Sequence, residues 1–595
     1  MRVADYIAEF ISESLGCENI FMVTGGGMMF LSDGIACNNK ISAVCTHHEQ
    51  AAAMAATAQA KYSGKFGCAM LTTGCGGTNA VTGVLNAWQD GAKAFFISGQ
   101  VKLKQTIGSS GVALRQFGVQ EADIVSIVQP ITKYAAVVTE PETIAYHLEK
   151  AKYLSENGNP GPVWLDIPMD IQGSEIHESQ LLHFSPPAGQ KADIQDDIIY
   201  LQRKLSQASR PVVLAGQGID LSHTKEDFYK FIEALKIPVV TSFLGGNSIS
   251  GRHPQYIGRI GTKGNRAGNL TIQNADFLLV LGCRLSVSST GHDYSSFARN
   301  AEVMVVDTDP TVALKKTVKI DRFCHTDLRD FFQAADFELR CPDEWYKQTV
   351  IWRDKYFAAD CNYQKTGQIN LYGFLQSLSE VLKKYPGATV VSDAGSSFYA
   401  TTQAIKLDDS QRYVTSGGQA EMGFSLPAAI GIASAAGDKK VIAITGDGSL
   451  QMNIQELQTV RHYHLPVKLF VWNNNGYLSI RATQRKFFDS RFIGTDPEHG
   501  VSFPDLKKIS SAYDLPFVRM SKEDSIEEQL ERIISKDGPV VCEVICDPEQ
   551  EIVPTVVSLR TPEGKMKSLP LEDMYPLLPI EELQSEMKIP LLERE

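Results

Sequence analysis

Polar residues suited to a metal site follow two apolar segments in the last third of the chain. Asp447 comes after residues 441–444 and Asn474 after residues 467–472, with a helical stretch between them. Their spacing of 27 positions is enough for one βαβ crossover, so both should lie at the same edge of a parallel sheet. Carboxylate and amide oxygens suit Mg²⁺ or Ca²⁺ better than zinc, and Mg²⁺ held by so few protein ligands normally shares its shell with phosphates. The segment therefore predicts a metal–diphosphate anchor.

Three α/β blocks are expected to position this anchor. Short apolar strands alternate with helical stretches, which indicates parallel sheets. The predicted strands are 20–23, 43–46, 68–72, 94–98 and 163–167, then 211–215, 237–241, 277–281 and 303–306, then 389–392, 441–444, 467–472 and 540–544. We predict an α/β fold of three doubly wound parallel-sheet domains at 1–173, 190–345 and 369–550. A proline-rich C-terminal tail, 551–595, is expected to wrap over the surface or cap the site.

Composition limits the classes of function. The chain of 595 residues has 43% hydrophobic and 21% charged residues and a net charge of −12, with no basic tract. Nucleic acid and anionic membranes are therefore not expected as partners. No apolar run reaches the length of a membrane-spanning helix, and residues 1–16 lack the features of a targeting peptide. Eleven scattered cysteines without a CxxC pair favour reduced thiols, so we expect a cytoplasmic protein.

The segment from Gly446 to Tyr477 resembles the thiamine diphosphate signature, in which Gly-Asp-Gly is followed after a fixed gap by paired asparagines. Further landmarks occur in the order expected for the large catalytic subunit of acetolactate (acetohydroxyacid) synthase. They are His-His-Glu at 47–49, glycine-rich turns at 24–27 and 72–79, Gly-Gln-Val at 99–101, Val-Gln-Glu at 119–121 and the stretch 416–429. The chain is similar to this family over about residues 1–575, which implies pyrimidine-binding, central and diphosphate-binding domains.

The resemblance assigns roles to individual residues. Glu49 would hydrogen-bond the cofactor's pyrimidine ring, while the Gly27 N–H and Gln120 would face the substrate oxygen. The alternative for Glu49 is a first-turn acid favoured by the helix dipole. Mg²⁺ would be held by Asp447, Asn474 and the Gly476 carbonyl. The implied contacts to thiamine diphosphate are Gly395, Ser396, Ser397, Ala420, Met422, Gly446, Asp447, Gly448, Ser449, Asn474, Gly476, Tyr477 and Leu478.

Members of this family often bind FAD in the central domain. Arg284 and Asp307 match the expected landmarks for FAD, although they could equally form a structural pair at strand ends. Cofactors of the family lie between the first domain of one subunit and the third domain of another. Glu49 and Asp447 would then serve one thiamine diphosphate from different chains, so we predict a homodimer or homotetramer. The sequence does not decide whether a regulatory subunit binds.

Three features depart from the family pattern near the substrate. The loop after Val101 is longer, Val119 replaces an aromatic residue before Gln120, and Thr483 stands where the synthases have a tryptophan. Losing two aromatic side chains enlarges the acceptor pocket. Cations in the loop and after the metal segment could receive carboxylate or phosphate groups, or could be solvated surface charge. The candidate substrate residues are Arg115, Arg481, Thr483 and Gln484.

The family resemblance implies an enzyme that decarboxylates a 2-keto acid, with pyruvate the expected donor, and adds the two-carbon acyl unit to a keto acceptor. The larger pocket favours a bulkier acceptor. Together, these departures resemble the acetolactate synthase relatives that transfer a two-carbon acetyl unit to the keto group of a nucleotide-activated deoxysugar, which implies a nucleotide-linked ketodeoxysugar as acceptor. Genuine acetolactate synthesis, simple 2-keto acid decarboxylation and hydrolysis of a cyclic diketone remain open. A non-enzymatic scaffold related to these enzymes would be expected to have lost Glu49 or Asp447, and both are present.

Overall fold

The computed structural model describes residues 1–189, 191–359, 368–522, 525–560, 565–592 and 594. Residue 190, the predicted start of the central domain, and parts of the predicted tail lie outside the described residues. Three six-stranded parallel sheets, each flanked by helices, form the architecture. The predicted fold class is therefore confirmed.

The first sheet is built from the N-terminal part of the chain. Its strands are β1 (Asn19–Met22), β2 (Ser42–Cys45), β3 (Gly67–Leu71), β4 (Ala94–Gln100), β5 (Tyr134–Val137) and β6 (Val163–Pro168), in the order β2-β1-β3-β4-β6-β5. The helices are α1 (Val3–Glu9), α2 (Met29–Cys37), α3 (Glu49–Ser63), α4 (Cys75–Asn79), α5 (Val81–Gln89), α6 (Ile107–Ser110), α7 (Ile124–Val128), α8 (Ile144–Glu156) and α9 (Met169–Gln172). Strands β3, β4 and β6 are buried along their whole length, as expected for parallel strands covered on both faces.

The second sheet has the strand order of a dinucleotide-binding domain. Its strands are β7 (Pro211–Ala215), β8 (Val239–Thr241), β9 (Tyr256–Arg259), β10 (Phe277–Leu281), β11 (Glu302–Asp307) and β12 (Arg322–His325), in the order β12-β11-β10-β7-β8-β9. The helices are α10 (Gln195–Gln207), α11 (Gly218–Leu221), α12 (Lys225–Leu235), α13 (Arg266–Gln273), α14 (Val287–Thr290), α15 (Thr311–Leu314), α16 (Leu328–Ala334) and α17 (Asp343–Ala359). The strand order reverses between β7 and β10, which is where ligands bind in such sheets.

The third sheet repeats the topology of the first. Its strands are β13 (Thr389–Ser392), β14 (Arg412–Thr415), β15 (Val441–Gly446), β16 (Val467–Asn473), β17 (Phe517–Met520) and β18 (Val540–Ile545), in the order β14-β13-β15-β16-β18-β17. The helices are α18 (Leu371–Val381), α19 (Ser396–Ala404), α20 (Ser425–Ala436), α21 (Asp447–Leu450), α22 (Leu457–His462), α23 (Leu478–Phe487), α24 (Leu506–Ala512) and α25 (Ile526–Ile534). Loops after β3 and β4 therefore correspond in position to loops after β15 and β16.

Two compact units divide these elements. One comprises Met1–Ala188, Lys384–Phe398 and Val414–Glu549, and the other comprises Gly189–Lys383, Tyr399–Tyr413 and Gln550–Glu595. In the first unit, α3 packs against α20, so the first and third sheets share one unit. None of the helices in the described part of the chain is both long and apolar enough to cross a membrane.

The tail belongs to the second unit and packs on its central domain. It contains β19 (Thr555–Val556), β20 (Ser558–Arg560), β21 (Met566–Ser568), β22 (Met574–Tyr575) and α26 (Ile580–Glu586). The side chain of Asn269, on the fully buried helix α13, donates to the Leu571 carbonyl at 2.9 Å, and Gln273 donates to the Glu572 carboxylate at 2.6 Å. Buried polar bonds of this kind fix the tail on the central domain.

Candidate active site

The predicted metal ligands Asp447 and Asn474 lie at the ends of adjacent parallel strands. Asp447 directly follows β15, Asn474 directly follows β16, and the two strands pair in parallel. Asp447 is 6% exposed, and its carboxylate accepts the N–H of Gly448 at 2.8 Å and the N–H of Gly476 at 3.0 Å. The loops after β15 and β16 therefore meet at one carboxylate, at the edge of the sheet where ligands bind.

The chemistry of this edge fits a hard divalent cation. Burial raises the pKa of Asp447 to about 6, although hydrogen bonds from backbone N–H groups oppose that shift. Asn474 is 3% exposed, and its Oδ1 has no hydrogen-bond partner among the described residues. Unpartnered buried acceptors are rare, so this oxygen is suited to a metal ion. No cluster of three or more His, Cys, Asp or Glu side chains in the described ranges could hold a metal, so a cation here needs phosphate or water oxygens as well.

A buried carboxylate that the sequence reasoning missed, Asp393, connects the loops around this site. It directly follows β13 and is 2% exposed. Its Oδ1 accepts the N–H groups of Ala394 at 2.8 Å and Gly423 at 2.9 Å. Its Oδ2 accepts the Ser425 N–H at 3.0 Å and the Thr445 hydroxyl at 3.1 Å. Burial raises the pKa of Asp393 and these bonds oppose the shift. An acidic residue between an apolar strand and a glycine turn was the available signal.

The predicted diphosphate contacts flank Asp393 and Asp447. The first turn of the nine-residue helix α19 supplies backbone N–H groups, which favour an anion at a helix N-terminus. Tyr477 packs against Gly448, since a Cβ on that glycine would lie 2.2 Å from the tyrosine ring. The predicted contacts at this edge of the third sheet are Gly395, Ser396, Ser397, Gly446, Gly448, Ser449, Tyr477 and Leu478.

Ala420 and Met422 have the conformation and exposure of ligand-facing residues. Ala420 has φ +53°, a left-handed conformation that is uncommon and costly for a residue with a side chain. Its N–H is held by the Ser416 hydroxyl at 3.1 Å. Met422 is 40% exposed, which disfavours the alternative that it simply fills the core of this chain.

In the first domain, Glu49 is the first residue of α3, directly after the His48 cap. The His48 side chain accepts the Gln50 N–H, which fixes where the helix begins. Glu49 is 8% exposed, and its Oε2 accepts a hydrogen bond from the Asn79 side-chain amide at 2.9 Å. Asn79 lies at the end of α4 in the glycine-rich turn, and the sequence reasoning gave it no role. The turn therefore orients the predicted catalytic carboxylate.

Gln120 and Gly27 approach the same glycine-rich turn. A Cβ on Gly74 would lie 1.9 Å from the Gln120 carbonyl oxygen, so only glycine permits this approach. Gln120 itself has φ +61°, a strained conformation held by its surroundings. A Cβ on Gly27 would lie 1.7 Å from the Thr73 hydroxyl oxygen, one residue before Gly74. The structure thus gathers Glu49, Gln120 and Gly27 around one turn.

The long loop between β4 and α7 is organised by Glu121. Its carboxylate accepts N–H groups from Ile107, from Phe117 at 3.1 Å and from Gly118 at 2.8 Å. The base of the loop is closed by Gln100, whose side-chain amide donates to the Ala122 carbonyl at 3.0 Å. This loop is therefore an ordered structure attached directly beside Gln120.

Among the four candidate substrate residues, two are exposed and two are engaged by the protein itself. Arg115 and Thr483 are exposed. Arg481 is 5% exposed, and its guanidinium donates to three backbone carbonyls. The Gln484 side chain bonds both the N–H and the carbonyl of Ile493. The exposed pair is therefore better placed than the engaged pair to meet an acceptor.

In the second unit, the two candidate FAD residues lie at the carboxyl ends of the adjacent strands β10 and β11. Asp307 ends β11, and burial raises the pKa of its carboxyl. Arg284 follows β10 and its side chain is exposed. Its backbone carbonyl accepts a hydrogen bond from Lys315. Both residues thus lie at the carboxyl edge of the second sheet, where a dinucleotide would bind.

Three family models match the chain in the order of its three sheets. Residues 1–127 match the N-terminal TPP binding domain of thiamine pyrophosphate enzymes, where TPP is thiamine pyrophosphate, another name for thiamine diphosphate. Residues 200–335 match the central domain and residues 393–544 the C-terminal TPP binding domain of these enzymes.

Curated relatives cover nearly the whole chain. A probable acetolactate synthase large subunit of Methanocaldococcus jannaschii is 30% identical over 571 residues, which is 93% of this chain and 93% of the relative. The acetolactate synthase large subunit of Lactococcus lactis subsp. lactis is 30% identical, covering 91% of this chain and 92% of the relative. The isozyme 3 large subunit of Escherichia coli is also 30% identical, over 92% of this chain and 96% of the relative.

Proposed function

The chain belongs to the thiamine pyrophosphate enzymes as a carboligase of the acetolactate synthase type, and we propose that its acceptor is a nucleotide-linked ketodeoxysugar. Pyruvate is the proposed donor. In this reaction the bond between the donor's carboxylate and keto carbon breaks and CO₂ leaves. A new bond joins the keto carbon to the acceptor's carbonyl carbon, and the acceptor oxygen takes a proton. The product carries a two-carbon acetyl branch.

In the proposed site, the first domain supplies Glu49 and the third domain supplies the metal ligands. Bound thiamine diphosphate supplies the carbon nucleophile. Glu49 would exchange a proton with this cofactor, while Asn79 holds the Glu49 carboxylate in place. Asp447, Asn474 and the Gly476 carbonyl are the proposed Mg²⁺ ligands. Members of this family complete the site with a second subunit, so we also propose a homo-oligomer.

The observation that carries the acceptor proposal is the charge of the loop between β4 and α7, residues 101–123, which Glu121 organises and which is hereafter the basic loop. No acidic residue occurs from 91 to 120, although the whole chain has a net charge of −12. Lys102, Lys104 and Arg115 are exposed, and none of them forms an ion pair with a described residue. Three such cations on the loop that leads to Gln120 would hold the diphosphate of a nucleotide sugar, because phosphate oxygens form strong charge-assisted hydrogen bonds with lysine and arginine.

Thr483 supports the same acceptor because its small side chain leaves volume free in the pocket, not because of charge. It is exposed on α23, and its hydroxyl donates back to the Ser479 carbonyl at 3.0 Å. The side chain therefore ends close to its own helix and leaves open the volume that a tryptophan would fill. Val119, at the other departure from the synthase pattern, is 81% exposed. Both positions leave room for a sugar-sized acceptor.

Acetolactate synthesis is the second candidate. It is favoured by the 30% identity to proteins named acetolactate synthase large subunits over more than nine-tenths of the chain. Those relatives are named large subunits, and a separate regulatory subunit for this chain belongs to the same candidate. If the chain is an acetolactate synthase, pyruvate or 2-ketobutyrate would be the acceptor, and the cations of the basic loop would be solvated surface charge.

An acceptor screen decides between the candidates. The protein is incubated with pyruvate, thiamine diphosphate and Mg²⁺, together with pyruvate alone, 2-ketobutyrate or keto-deoxysugar nucleotides, and products are identified by mass spectrometry. We expect the nucleotide sugar to gain one acetaldehyde equivalent. Acetolactate as the only product would favour the second candidate. CO₂ and acetaldehyde without a coupled product would indicate a decarboxylase, and turnover of a cyclic diketone without CO₂ would indicate a hydrolase.

FAD is proposed as a further bound group of the central domain. The support is the dinucleotide-type strand order of the second sheet and the position of Arg284 and Asp307 at its carboxyl edge. The visible absorbance of flavin in the purified protein tests this proposal. A colourless protein that binds no added FAD would contradict it, and would favour a structural role for the two residues.

A further inference from the structure

The turn that carries two of the proposed metal ligands has an unusual backbone. It joins β16 to α23, with Asn475 at φ +58° and Gly476 at φ +141°. Asn475 thus adopts a left-handed conformation that carries a cost for a residue with a side chain. Such a turn persists only where its surroundings hold it in place.

Two contacts hold one side of this turn. The Gly476 N–H donates to the Asp447 carboxylate at 3.0 Å, and the Tyr477 N–H donates to the Thr495 carbonyl at 2.8 Å. The Leu478 N–H also donates to the Gly476 carbonyl at 3.1 Å, which leaves that carbonyl a second lone pair for a ligand. These contacts leave the Asn474 and Asn475 carbonyls to be satisfied from elsewhere.

Arg481 satisfies both of these carbonyls at once. Its Nη1 donates to the Asn475 carbonyl at 2.8 Å, and its Nη2 donates to the Asn474 carbonyl at 2.8 Å. Nη2 also donates to the Pro548 carbonyl at 2.9 Å, beyond the end of β18. The guanidinium is 5% exposed and lies so close to the turn that a Cβ on Gly476 would be 2.5 Å from Nη1. It therefore joins the turn to the chain after β18.

We propose that Arg481 is a positioning residue for Mg²⁺: its guanidinium fixes the turn so that the Asn474 side-chain oxygen and the Gly476 carbonyl face the Asp447 carboxylate. The inference rests on the proposed metal site. A planar guanidinium can donate to several carbonyls in fixed directions, whereas a lysine ammonium is a single flexible point of charge. Second-shell contacts of this kind typically change metal affinity 10- to 100-fold.

The same geometry argues against a direct role for Arg481 in acceptor binding. A cation that binds a carboxylate or phosphate must direct its N–H donors into the pocket. Both terminal nitrogens of Arg481 instead donate to backbone carbonyl oxygens. Arg485, one helical turn later on α23, is exposed and pairs with Glu549. It provides a matched control, because it has the same side chain on the same helix but makes no described contact with the metal turn.

The experiment compares wild-type protein with Arg481→Lys, Arg481→Met and Arg485→Met. Binding of Mg²⁺ at saturating thiamine diphosphate is measured by calorimetry, and hydrogen exchange of peptides covering 473–480 is measured without cofactor. We expect the Arg481 variants to bind Mg²⁺ about 10- to 100-fold more weakly and to exchange faster in these peptides. Arg485→Met should match wild type in both measurements.

Kinetics provide a further distinction. For Arg481→Lys, excess Mg²⁺ should restore kcat while the KM of the acceptor stays at the wild-type value. Unchanged Mg²⁺ affinity and exchange together with a raised acceptor KM would overturn the inference and make Arg481 an acceptor contact. If Arg481→Met fails to fold, the lysine variant decides the question. If wild type binds neither Mg²⁺ nor thiamine diphosphate, the proposed metal site fails, whereas the cofactor-free exchange still tests the hold of Arg481 on the turn.

Discussion

The Asn79 side-chain amide donates to Glu49 Oε2 at 2.9 Å, joining the glycine-rich turn after β3 to the first residue of α3. Both residues belong to the first domain, so the carboxylate is oriented before any other domain contributes to the site. The second carboxylate oxygen, Oε1, accepts no hydrogen bond from Asn79 and is available for the proposed bond to the cofactor. A substitution at Glu49 therefore tests its proposed proton-exchange role directly.

Glu49→Gln keeps the size of the side chain but removes its ability to exchange a proton. We expect CO₂ release from pyruvate to fall by about 100-fold or more, because proton transfer by a positioned group contributes about 10²- to 10⁴-fold. Calorimetry should show thiamine diphosphate still binding. Glu156→Gln, an exposed site on α8, is the control. A rate within a factor of two of wild type in Glu49→Gln would refute the catalytic role.

Asp393→Asn should loosen the diphosphate site. The new amide would place a donor against the Ser425 N–H or the Thr445 hydroxyl, leaving buried donors unsatisfied at a cost of about 1–3 kcal/mol each. We expect a melting temperature lower by roughly 5 °C or more and weaker binding of thiamine diphosphate. The control is Asp438→Asn, at an exposed position after α20. Equal melting of both variants would show that Asp393 does not hold these loops.

Neutralising the basic loop should affect the acceptor alone. In the double variant Lys102→Gln and Arg115→Gln, we expect the KM of a nucleotide-sugar acceptor to rise about tenfold or more, because hydrogen bonds to charged groups contribute about 1.5–3 kcal/mol. The KM of pyruvate as donor should not change. Added salt should raise the acceptor KM of wild type more than that of the variant. A double variant at two other exposed lysines, Lys65→Gln and Lys508→Gln, should behave as wild type.

Thr483→Trp should narrow the acceptor pocket. We expect the variant to lose activity with nucleotide sugars and to keep or gain activity with pyruvate as acceptor, as measured by product ratio in a mixed-acceptor assay. Ala482→Trp adds the same bulk at the adjacent exposed position of α23 and is the matched control. If both variants give the wild-type product ratio, Thr483 does not border the acceptor.

Asp166 should make stability depend on pH. Burial raises the pKa of its carboxyl to about 7, helped by Asp123 and Glu121 and opposed by bonds from Ser98 and Gln100. The folded protein thus holds this proton more tightly than the unfolded chain. The contribution of Asp166 to the unfolding free energy is therefore fully present below the unfolded pKa of 3.8 and is lost as pH rises through about 7, by up to ~4 kcal/mol.

Asp166→Asn tests this dependence. We expect the variant's unfolding free energy, measured by chemical denaturation between about pH 4 and pH 8, to fall less with rising pH than that of wild type. Parallel curves for the two proteins would show that the Asp166 carboxyl does not hold its proton in the folded state.

Buried strands were predictable from the sequence, whereas most edge strands were not. Strands β7, β10 and β13 have the predicted bounds, because a central parallel strand needs a continuous apolar run. Within the three six-stranded sheets, the strands absent from the prediction are β5, β9, β12, β14 and β17, and each lies at the edge of its sheet. An edge strand pairs on one side only and tolerates polar residues, so it carries a weaker pattern.

The site shows a similar division. Asp447, Asn474 and Glu49 could be proposed from the sequence because each follows a strong strand signal. Asp393 and Asn79 act through contacts with other loops, and these contacts depend on how the sheets are ordered rather than on local spacing. Arg481 shows the limit most clearly, because its charge indicated a substrate contact and its burial shows that it bonds the backbone instead.

The loop after β4 is tied at its base by Gln100 and internally by Glu121, while Glu49 is oriented from a different turn. Under the proposed function, residues 107–117 can therefore vary without disturbing Glu49. Substitutions confined to residues 107–117 could therefore change the acceptor and so the product. The same separation offers a grafting point: exchanging this segment between relatives should transfer acceptor choice while the carbon–carbon bond chemistry stays intact.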